Sequence, residues 1–106
     1  MTTPTDDRRD LVTVFASMRA APGKEDELRR WLESVVEPTT QETGCVNYDL
    51  HQGIEDPAVF SFYENWETPE QLDAHRETPH MTEFAAVLDD LLDESGLTVH
   101  RARRIG

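Results

Sequence analysis

The spacing of apolar residues changes along this chain, and that change is what most limits how it can fold. Between Leu11 and Arg19, apolar and polar residues largely alternate, and this period of two predicts a β-strand with one mainly aliphatic face. After Lys24, apolar residues recur every three or four positions, which is the spacing of an amphipathic α-helix. Pro38 would end or kink this helix, whereas the later Gly44 would end it, and the sequence leaves both endings open.

A β-hairpin is predicted in the middle of the chain. Residues Val46 to His51 have the composition of a second strand, and residues Val59 to Trp66 that of a third. Between them, Gln52 to Pro57 is rich in Gly, Asp and Pro, which is typical of a turn. Alternation within the third strand predicts that four residues share one face, namely Phe60, Phe62, Glu64 and Trp66.

Two helix start signals follow the hairpin. Thr68 is followed by Pro69 and then by Gln71, which fits a capping box with proline at the first helical position. Thr78 and Pro79 repeat the signal and open a further helix, whose apolar stripe consists of Phe84, Val87, Leu88, Leu91 and Leu92. After Gly96, the segment from Leu97 to Arg103 is predicted to form a final strand.

The order strand, helix, strand, strand, helix, strand is that of a ferredoxin-like split β-α-β unit, so we expect an α+β fold with an antiparallel sheet. Residues 1–10 are polar and lack periodicity, so a disordered N-terminal tail is expected before one domain at residues 11–106. Helices cover one face of such a sheet and leave the other bare. We therefore expect a homodimer that buries the bare face.

Charge excludes two classes of partner. The chain has 10 basic and 22 acidic residues, and its net charge of −12 repels nucleic-acid phosphates and anionic lipid surfaces. No apolar run approaches the roughly 20 residues of a membrane span, and the first ten residues have no apolar signal core, so a cytoplasmic location is expected. The single cysteine, Cys45, is expected to be a small buried residue rather than a reactive thiol.

The third strand and the short helix after it supply the main candidate site residues. Phe62, Glu64 and Trp66 would combine an aromatic wall with one carboxylate and one indole donor, which suits a flat hydroxylated aromatic ligand. The alternative is an ordinary core strand with a carboxylate at its rim. His75 lies three residues after Leu72 on the same helix side, and its imidazole could accept a phenolic or enolic proton. A structural histidine bonded to a carbonyl or to Glu64 is the competing interpretation.

Further residues are candidates for contact with a ligand. Tyr48 lies on the opposite face of its strand from His51, and it is the stronger candidate for a core or pocket position, with His51 at the surface or pocket rim. His80 stands at a helix start, where the helix dipole disfavours its protonated form. Soft apolar side chains that could accommodate a ring, although core filling is their commoner role, are Met18, Met81 and Phe84.

Metal and cofactor sites are not expected. His75, His80 and Glu83 could be imagined as metal ligands, but they straddle Pro79 and lack the spacing that puts two imidazoles on one helical face. The chain also has no glycine-rich phosphate loop, nucleotide fingerprint or serine nucleophile elbow. The sequence therefore predicts no bound cofactor.

Four stretches, GCVNYDLH, FYENW, LDAH and TPHMTEF, occur in this order between residues 44 and 84. Together they resemble the antibiotic biosynthesis monooxygenase family of small cofactor-free oxygenases and quinol oxidases, over about Leu11 to Leu92. The resemblance implies a dimeric α+β barrel and the reaction of a small phenolic, anthrone-like or hydroquinone substrate with O2. It also implies that Trp66 lines the active-site pocket.

The residues and the resemblance together give a hypothesis for the site. His75 is assigned proton removal or anion stabilisation, and Trp66 or Tyr48 a hydrogen bond to the substrate oxygen, with Glu64 as a further catalytic candidate. The substrate-binding candidates are Met18, His51, Phe62, Leu72, His80, Met81 and Phe84.

This chain differs from two branches of the family at positions that bear on their substrates. Polyketide-oxidising members have an asparagine at the strand position of Phe62, so their substrate is not assumed here. Haem-degrading members have an asparagine at the position of Ala16, and a helical histidine that has no counterpart here, so haem degradation is a less supported function. Because a fold does not fix a reaction, a non-catalytic dimeric module that binds a small aromatic ligand or protects against quinones also fits this sequence, as does a cofactor-free isomerase or lyase.

Overall fold

The predicted order of strands and helices is present in the computed structural model, which describes residues 8–106. The elements are β1 (Val12–Ala20), α1 (Glu25–Thr40), β2 (Cys45–Gln52), β3 (Val59–Trp66), α2 (Pro69–His75), α3 (Pro79–Leu91) and β4 (Leu92–Ala102). The four strands form one antiparallel sheet in the order β2-β3-β1-β4. The predicted α+β, ferredoxin-like fold is confirmed.

The predicted N-terminal tail is described only in part. Residues 1–7 lie outside the described residues. Arg8 lies within them, and its guanidinium donates hydrogen bonds to both carboxylate oxygens of Glu67, at 3.0 and 2.7 Å.

The register of the central strands decides which side chains face the helices. Val14 of β1 pairs with Glu64 of β3, and Ala16 pairs with Phe62. Residues directly opposite each other in a sheet point to the same face. All four are buried, so the period-two pattern read from the sequence corresponds to the covered face of the sheet.

Helix α1 packs its apolar stripe on the sheet, and Leu28, Leu32 and Val35 are buried. The helix passes through Pro38 and ends at Thr40, so it ends at neither of the two expected positions. A proline in the last turn removes a single backbone hydrogen bond, which is why the helix tolerates it there.

The helix start signals predicted at Thr68 and Thr78 are confirmed in part. The Thr68 hydroxyl accepts a hydrogen bond from the Gln71 backbone N–H at 3.2 Å, as a capping box requires. The reciprocal contact is missing, because the buried Gln71 Oε1 has no hydrogen-bond partner among the described residues. Helix α3 starts at Pro79 as predicted, but the Thr78 hydroxyl donates to the His75 carbonyl at 2.8 Å instead of capping α3.

Strand β4 begins earlier than predicted, at Leu92 rather than Leu97. The Ala21 N–H donates to the Leu91 carbonyl at 2.9 Å, and Leu92 pairs with Ala20, so the chain enters the sheet directly from α3. The register then shifts before Leu97 pairs with Met18. No helix in residues 8–106 is long and apolar enough to cross a membrane.

The open face of the sheet is mostly polar. Its main hydrophobic feature is Phe15, which is 49% exposed and stacks on Tyr63 with ring centroids 5.8 Å apart. Around this pair the face carries polar side chains, namely Ser17, Ser61, Thr98 and His100. An aromatic pair within a polar face is thus what the sheet leaves uncovered.

Gly44 gives a test of the turn between α1 and β2. Its φ of +89° is in the left-handed region, and a Cβ there would clash with the Gln71 side chain. Gly23 has a similar φ of +84° but open space around it. We expect Gly44→Ala to lower the free energy of unfolding by about 2 to 4 kcal/mol, and Gly23→Ala by about 1 kcal/mol, because only the first adds overpacking to backbone strain. Urea denaturation measures both changes, provided that the dependence of the free energy of unfolding on urea concentration stays the same. Equal losses of stability in the two variants would contradict the Gln71 contact.

Candidate active site

A cavity of about 330 Å³ lies between the covered face of the sheet and the α2–α3 pair. Most of its wall is apolar. The predicted site residues that line it are Met18, Tyr48, Phe62, Glu64, Leu72, His75, Met81 and Phe84. Lining residues that the sequence pattern had not marked as site residues are Val14, Ala16, Arg76, Ala85, Leu88, Leu97 and Val99.

Glu64 is a buried carboxyl in the wall of this cavity. The indole Nε1 of Trp66 donates a hydrogen bond to its Oε1 at 2.9 Å, and Trp66 is itself fully buried. Burial raises the pKa of Glu64 to about 7, against the opposing effects of the Trp66 hydrogen bond and the Arg76 charge. Glu64 therefore exchanges a proton near neutral pH, as a general acid or base must.

His75 is buried beside the same tryptophan. Its ring centroid is 4.9 Å from that of Trp66 and 5.4 Å from that of Tyr48. Its Nδ1 lies 2.8 Å from Glu42 Oε2. The competing interpretation expected a bond to a carbonyl or to Glu64, but the partner of this nitrogen is Glu42. Burial holds the pKa of His75 below its usual value, although the Glu42 hydrogen bond acts in the opposite direction. The imidazole is thus neutral at pH 7 and able to accept a proton.

Tyr48 contributes a phenol to the cavity wall. Its ring lies 4.4 Å from that of Phe62, measured between centroids. Burial, reinforced by the charges of Glu64 and Glu42, raises the pKa of Tyr48 well above its usual value. The phenol therefore stays protonated and is a hydrogen-bond donor, for which the Thr39 side chain is one available acceptor.

Three predicted site residues do not line the cavity: Trp66, whose indole N–H donates to Glu64, and the binding candidates His51 and His80. His51 is exposed on the open face, because alternation along β2 turns it away from Tyr48. His80 lies behind the cavity wall, where its Nε2 is 2.9 Å from Glu42 Oε2 and 3.2 Å from the Thr39 hydroxyl. His51 is thus a surface residue, one of the two positions that the sequence left open, and His80 belongs to the cluster around Glu42.

Glu42, His75 and His80 are the described residues that come closest to a metal-ligand set. Each offers one ligand atom, and the three atoms lie within 4.8 Å of one another. The set weighed from the sequence had Glu83 in place of Glu42, but Glu83 is exposed on α3. In the structure, hydrogen bonds to Glu42 serve both imidazoles, so the geometry is accounted for as a hydrogen-bonded cluster.

Cys45 has the character of a structural residue. Its side chain is partly buried, and burial together with the charges of Glu42 and Glu64 raises the pKa of its thiol to about 12. A thiol is a poor nucleophile compared with a thiolate, so this environment disfavours reactivity.

Sequence patterns did not reveal Glu42 and Arg76 as site residues. Glu42 lies in the turn after α1, outside any periodic pattern, so no local signal marks it. Arg76 directly follows His75 at the end of α2, and only the packing of that helix against the sheet places it at the cavity.

Comparison with known proteins identifies similar chains. The profile of the antibiotic biosynthesis monooxygenase family matches residues 11–87. An uncharacterized Synechocystis protein, sll1783, is 30% identical over 83 residues, or 78% of this chain, and the match spans only 56% of that protein. Rv0793 of Mycobacterium tuberculosis, which carries a provisional monooxygenase name, is 32% identical over 81 residues, covering 76% of this chain and 79% of that protein.

Solved structures resemble the fold closely. The crystal structure of PA3566 from Pseudomonas aeruginosa has a TM-score of 0.86 and 32% identity, and the match covers 92% of this chain and 96% of that one. The structure of Rv0793 has a TM-score of 0.84 and 27% identity, covering 91% of this chain and 96% of that one.

Glu64→Gln tests the buried carboxyl. Because its pKa is about 7 in the folded protein and about 4.5 in an unfolded chain, the wild type loses stability as pH rises from about 4.5 to 7. The glutamine has no such loss. Urea unfolding at each pH gives the free energy of unfolding of the variant minus that of the wild type. We expect this difference to be about 1 to 3 kcal/mol more positive at pH 8 than at pH 4. Exposed Glu83→Gln is the control; a pH-independent difference for Glu64→Gln would show that the carboxyl is hydrated.

Proposed function

Because the chain belongs to the antibiotic biosynthesis monooxygenase family, which supports a monooxygenase-like function, we propose that it is a cofactor-independent monooxygenase or quinol oxidase. The proposed substrate is a small phenolic, hydroquinone or anthrone-like ring, which reacts with O2. The observation that carries the proposal is the apolar cavity with His75, Glu64 and Tyr48 in its wall. Mainly apolar pockets with a few convergent polar groups are the usual form of small-molecule sites.

The proposed chemistry begins with a proton transfer. His75 removes a proton from a substrate hydroxyl, and the resulting anion is reducing enough to pass electrons directly to O2. A hydroquinone then loses two electrons and two protons in all to become a quinone, and O2 becomes hydrogen peroxide. For an anthrone-type methylene, one oxygen atom enters the product as a carbonyl and the other leaves as water. The apolar wall keeps bulk water away from the reactive intermediates.

The size and lining of the cavity favour a small ring. Its volume of about 330 Å³ is near the lower end of the roughly 300 to 1,000 Å³ typical of ligand pockets. Phe62 supplies an aromatic surface where polyketide-oxidising members have an amide, so this wall offers stacking in place of a polar contact. We therefore favour a hydroquinone with one or two rings over a larger polyketide.

One observation also favours an isomerase as a second candidate. Glu64 and His75 both contact Trp66 and both are ionisable, so one could remove a proton while the other returns it elsewhere on the ligand. Such a reaction would form product without consuming O2.

We also propose that two copies of the chain pair through the open faces of their sheets. The exposed Phe15 and the stacked Tyr63 would lie at the centre of this interface, and the neighbouring serine and threonine hydroxyls would surround them. An apolar centre with a polar rim is the common arrangement of protein interfaces.

Oxygen uptake tests the proposed reaction. Metal-stripped protein should show saturable uptake, above autoxidation and above heat-killed protein, with methylhydroquinone, naphthohydroquinone or anthrone. Hydrogen peroxide yield and ¹⁸O incorporation then separate oxidation from oxygenation. Because the pKa of His75 is lowered, uptake should fall only at a pH below about 6.5, its ordinary pKa. No uptake with any substrate of the panel, together with anaerobic product formation, would favour the isomerase.

His75→Gln should lower kcat for oxygen uptake by roughly 100-fold or more, because a general base contributes about 10² to 10⁴. The control is Glu83→Gln, which introduces the same amide at an exposed position on α3. Circular dichroism checks that both variants fold. A wild-type rate in His75→Gln would place the base elsewhere, with Glu64 as the next residue to test.

Phe15→Glu tests the proposed dimer. The substitution puts a charge at the centre of the open face, so we expect a mass of two chains for the wild type and of one chain for the variant, by light scattering at micromolar concentration. Ile54→Glu is the control, because Ile54 is 92% exposed in the hairpin turn. A wild-type mass of one chain would refute the dimer.

A further inference from the structure

Behind His75, on the side away from the cavity, lies a hydrogen-bonded cluster whose acceptor is Glu42. Glu42 is in the turn between α1 and β2, and its backbone is fixed at both ends. Its N–H donates to the Thr39 carbonyl at 3.0 Å, and its carbonyl accepts from the Cys45 N–H at 3.2 Å. The side chain is only 13% exposed. A partly buried carboxylate held this firmly can impose an orientation on its partners.

Two imidazoles share one oxygen of this carboxylate. Glu42 Oε2 lies 2.8 Å from His75 Nδ1 and 2.9 Å from His80 Nε2. A carboxylate only accepts hydrogen bonds, so both nitrogens must carry protons. For a neutral His75, the proton on Nδ1 leaves Nε2 with a free lone pair.

The Nε2 side of His75 is the side that a ligand would meet. His75 lines the cavity, and its Nε2 has no hydrogen-bond partner within residues 8–106. The rings of Trp66 and Tyr48 lie beside the imidazole and restrict its rotation. His75 is therefore bonded on one nitrogen and open on the other, as a general base is before its substrate binds.

We propose that Glu42 is a positioning residue, which fixes His75 in the Nδ1–H tautomer so that Nε2 takes the hydroxyl proton of the substrate. The assignment rests on the proposed oxidation. As the substrate O–H bond breaks, an N–H bond forms at Nε2, and the carboxylate of Glu42 stabilises the resulting imidazolium. The proton then passes from Nε2 to the oxygen anion that forms when O2 takes the substrate electrons.

His80 has a supporting part in this arrangement. Its Nε2 donates to the same oxygen of Glu42 and lies 3.2 Å from the Thr39 hydroxyl and 3.3 Å from that of Thr78. These contacts hold the carboxylate in place from the α3 side. The charged or titratable groups that act on His75 are Glu42, which favours its protonated form, and His80 and Arg76, which disfavour it.

The tautomer of His75 is measured directly by two-bond ¹H–¹⁵N correlation spectra of histidine-labelled protein, dialysed against a chelator, at pH 7.5. The chain has four histidines, and the spectrum of His75→Gln assigns the signal. We expect Nδ1 to be protonated and Nε2 bare. A proton on Nε2 in the wild type would overturn the proposal. This measurement needs no substrate, so failure of the proposed oxidation, seen as absent oxygen uptake, is distinguished from failure of the positioning.

Glu42→Gln supplies the second readout. Loss of the carboxylate charge should shift His75 toward the Nε2–H tautomer and lower kcat for oxygen uptake by roughly 10- to 100-fold, with a much smaller change in KM. Glu42→Asp keeps the charge and should recover part of the rate. Exposed Glu83→Gln is the matched control and should change neither tautomer nor rate. A Glu42→Gln variant with wild-type kcat would overturn the proposal.

His80→Gln is a second test of the proposal, which applies even if the Glu42 variants do not fold. It leaves the Glu42 contact with His75 in place, so His75 should remain in the Nδ1–H tautomer, and kcat should fall less than in Glu42→Gln because His80 only supports the carboxylate. A reversed tautomer in His80→Gln would overturn the assignment of Glu42 as the group that positions His75.

Discussion

The antiparallel pairing of β3 with β1 on one side and β2 on the other is the constraint on which the site depends. Glu64 is paired with Val14 across one ladder and with Tyr48 across the other, so all three face the helices together. Because side chains alternate with a period of two, a slip of one residue would turn Glu64 and Phe62 to the open face and remove a wall of the cavity. Burial of Phe60 and Trp66 opposes that slip.

Glu64 and His75 are ionisable groups buried at the cavity, and burial of such groups is costly unless they have partners. Within residues 8–106, each has one hydrogen-bond partner. The indole of Trp66 donates to Glu64, and the carboxylate of Glu42 accepts from His75. Both groups line the cavity. Polar groups with shifted pKa values that converge on an apolar space are characteristic of functional sites.

The turn between α1 and β2 places Glu42 next to His75. The Gly44 carbonyl accepts from the Glu67 N–H at 2.8 Å, and the Gln71 side chain packs against Gly44. The turn is thereby held against the start of α2, whose other end carries His75. A glycine that appears in the sequence only as a helix stop thus helps to bring Glu42 to within hydrogen-bond distance of His75.

The sequence by itself determined the elements, their order and the covered face of the sheet, because apolar periodicity and start signals such as Thr68 with Pro69 act over a few residues. It also identified most of the cavity residues, since alternation on β3 and the spacing of Leu72 and His75 are local patterns. Only the tertiary structure decided the partners of His75. Glu42 is 33 residues away in the chain, and it reaches His75 because packing holds the α1–β2 turn against α2, which no local pattern encodes.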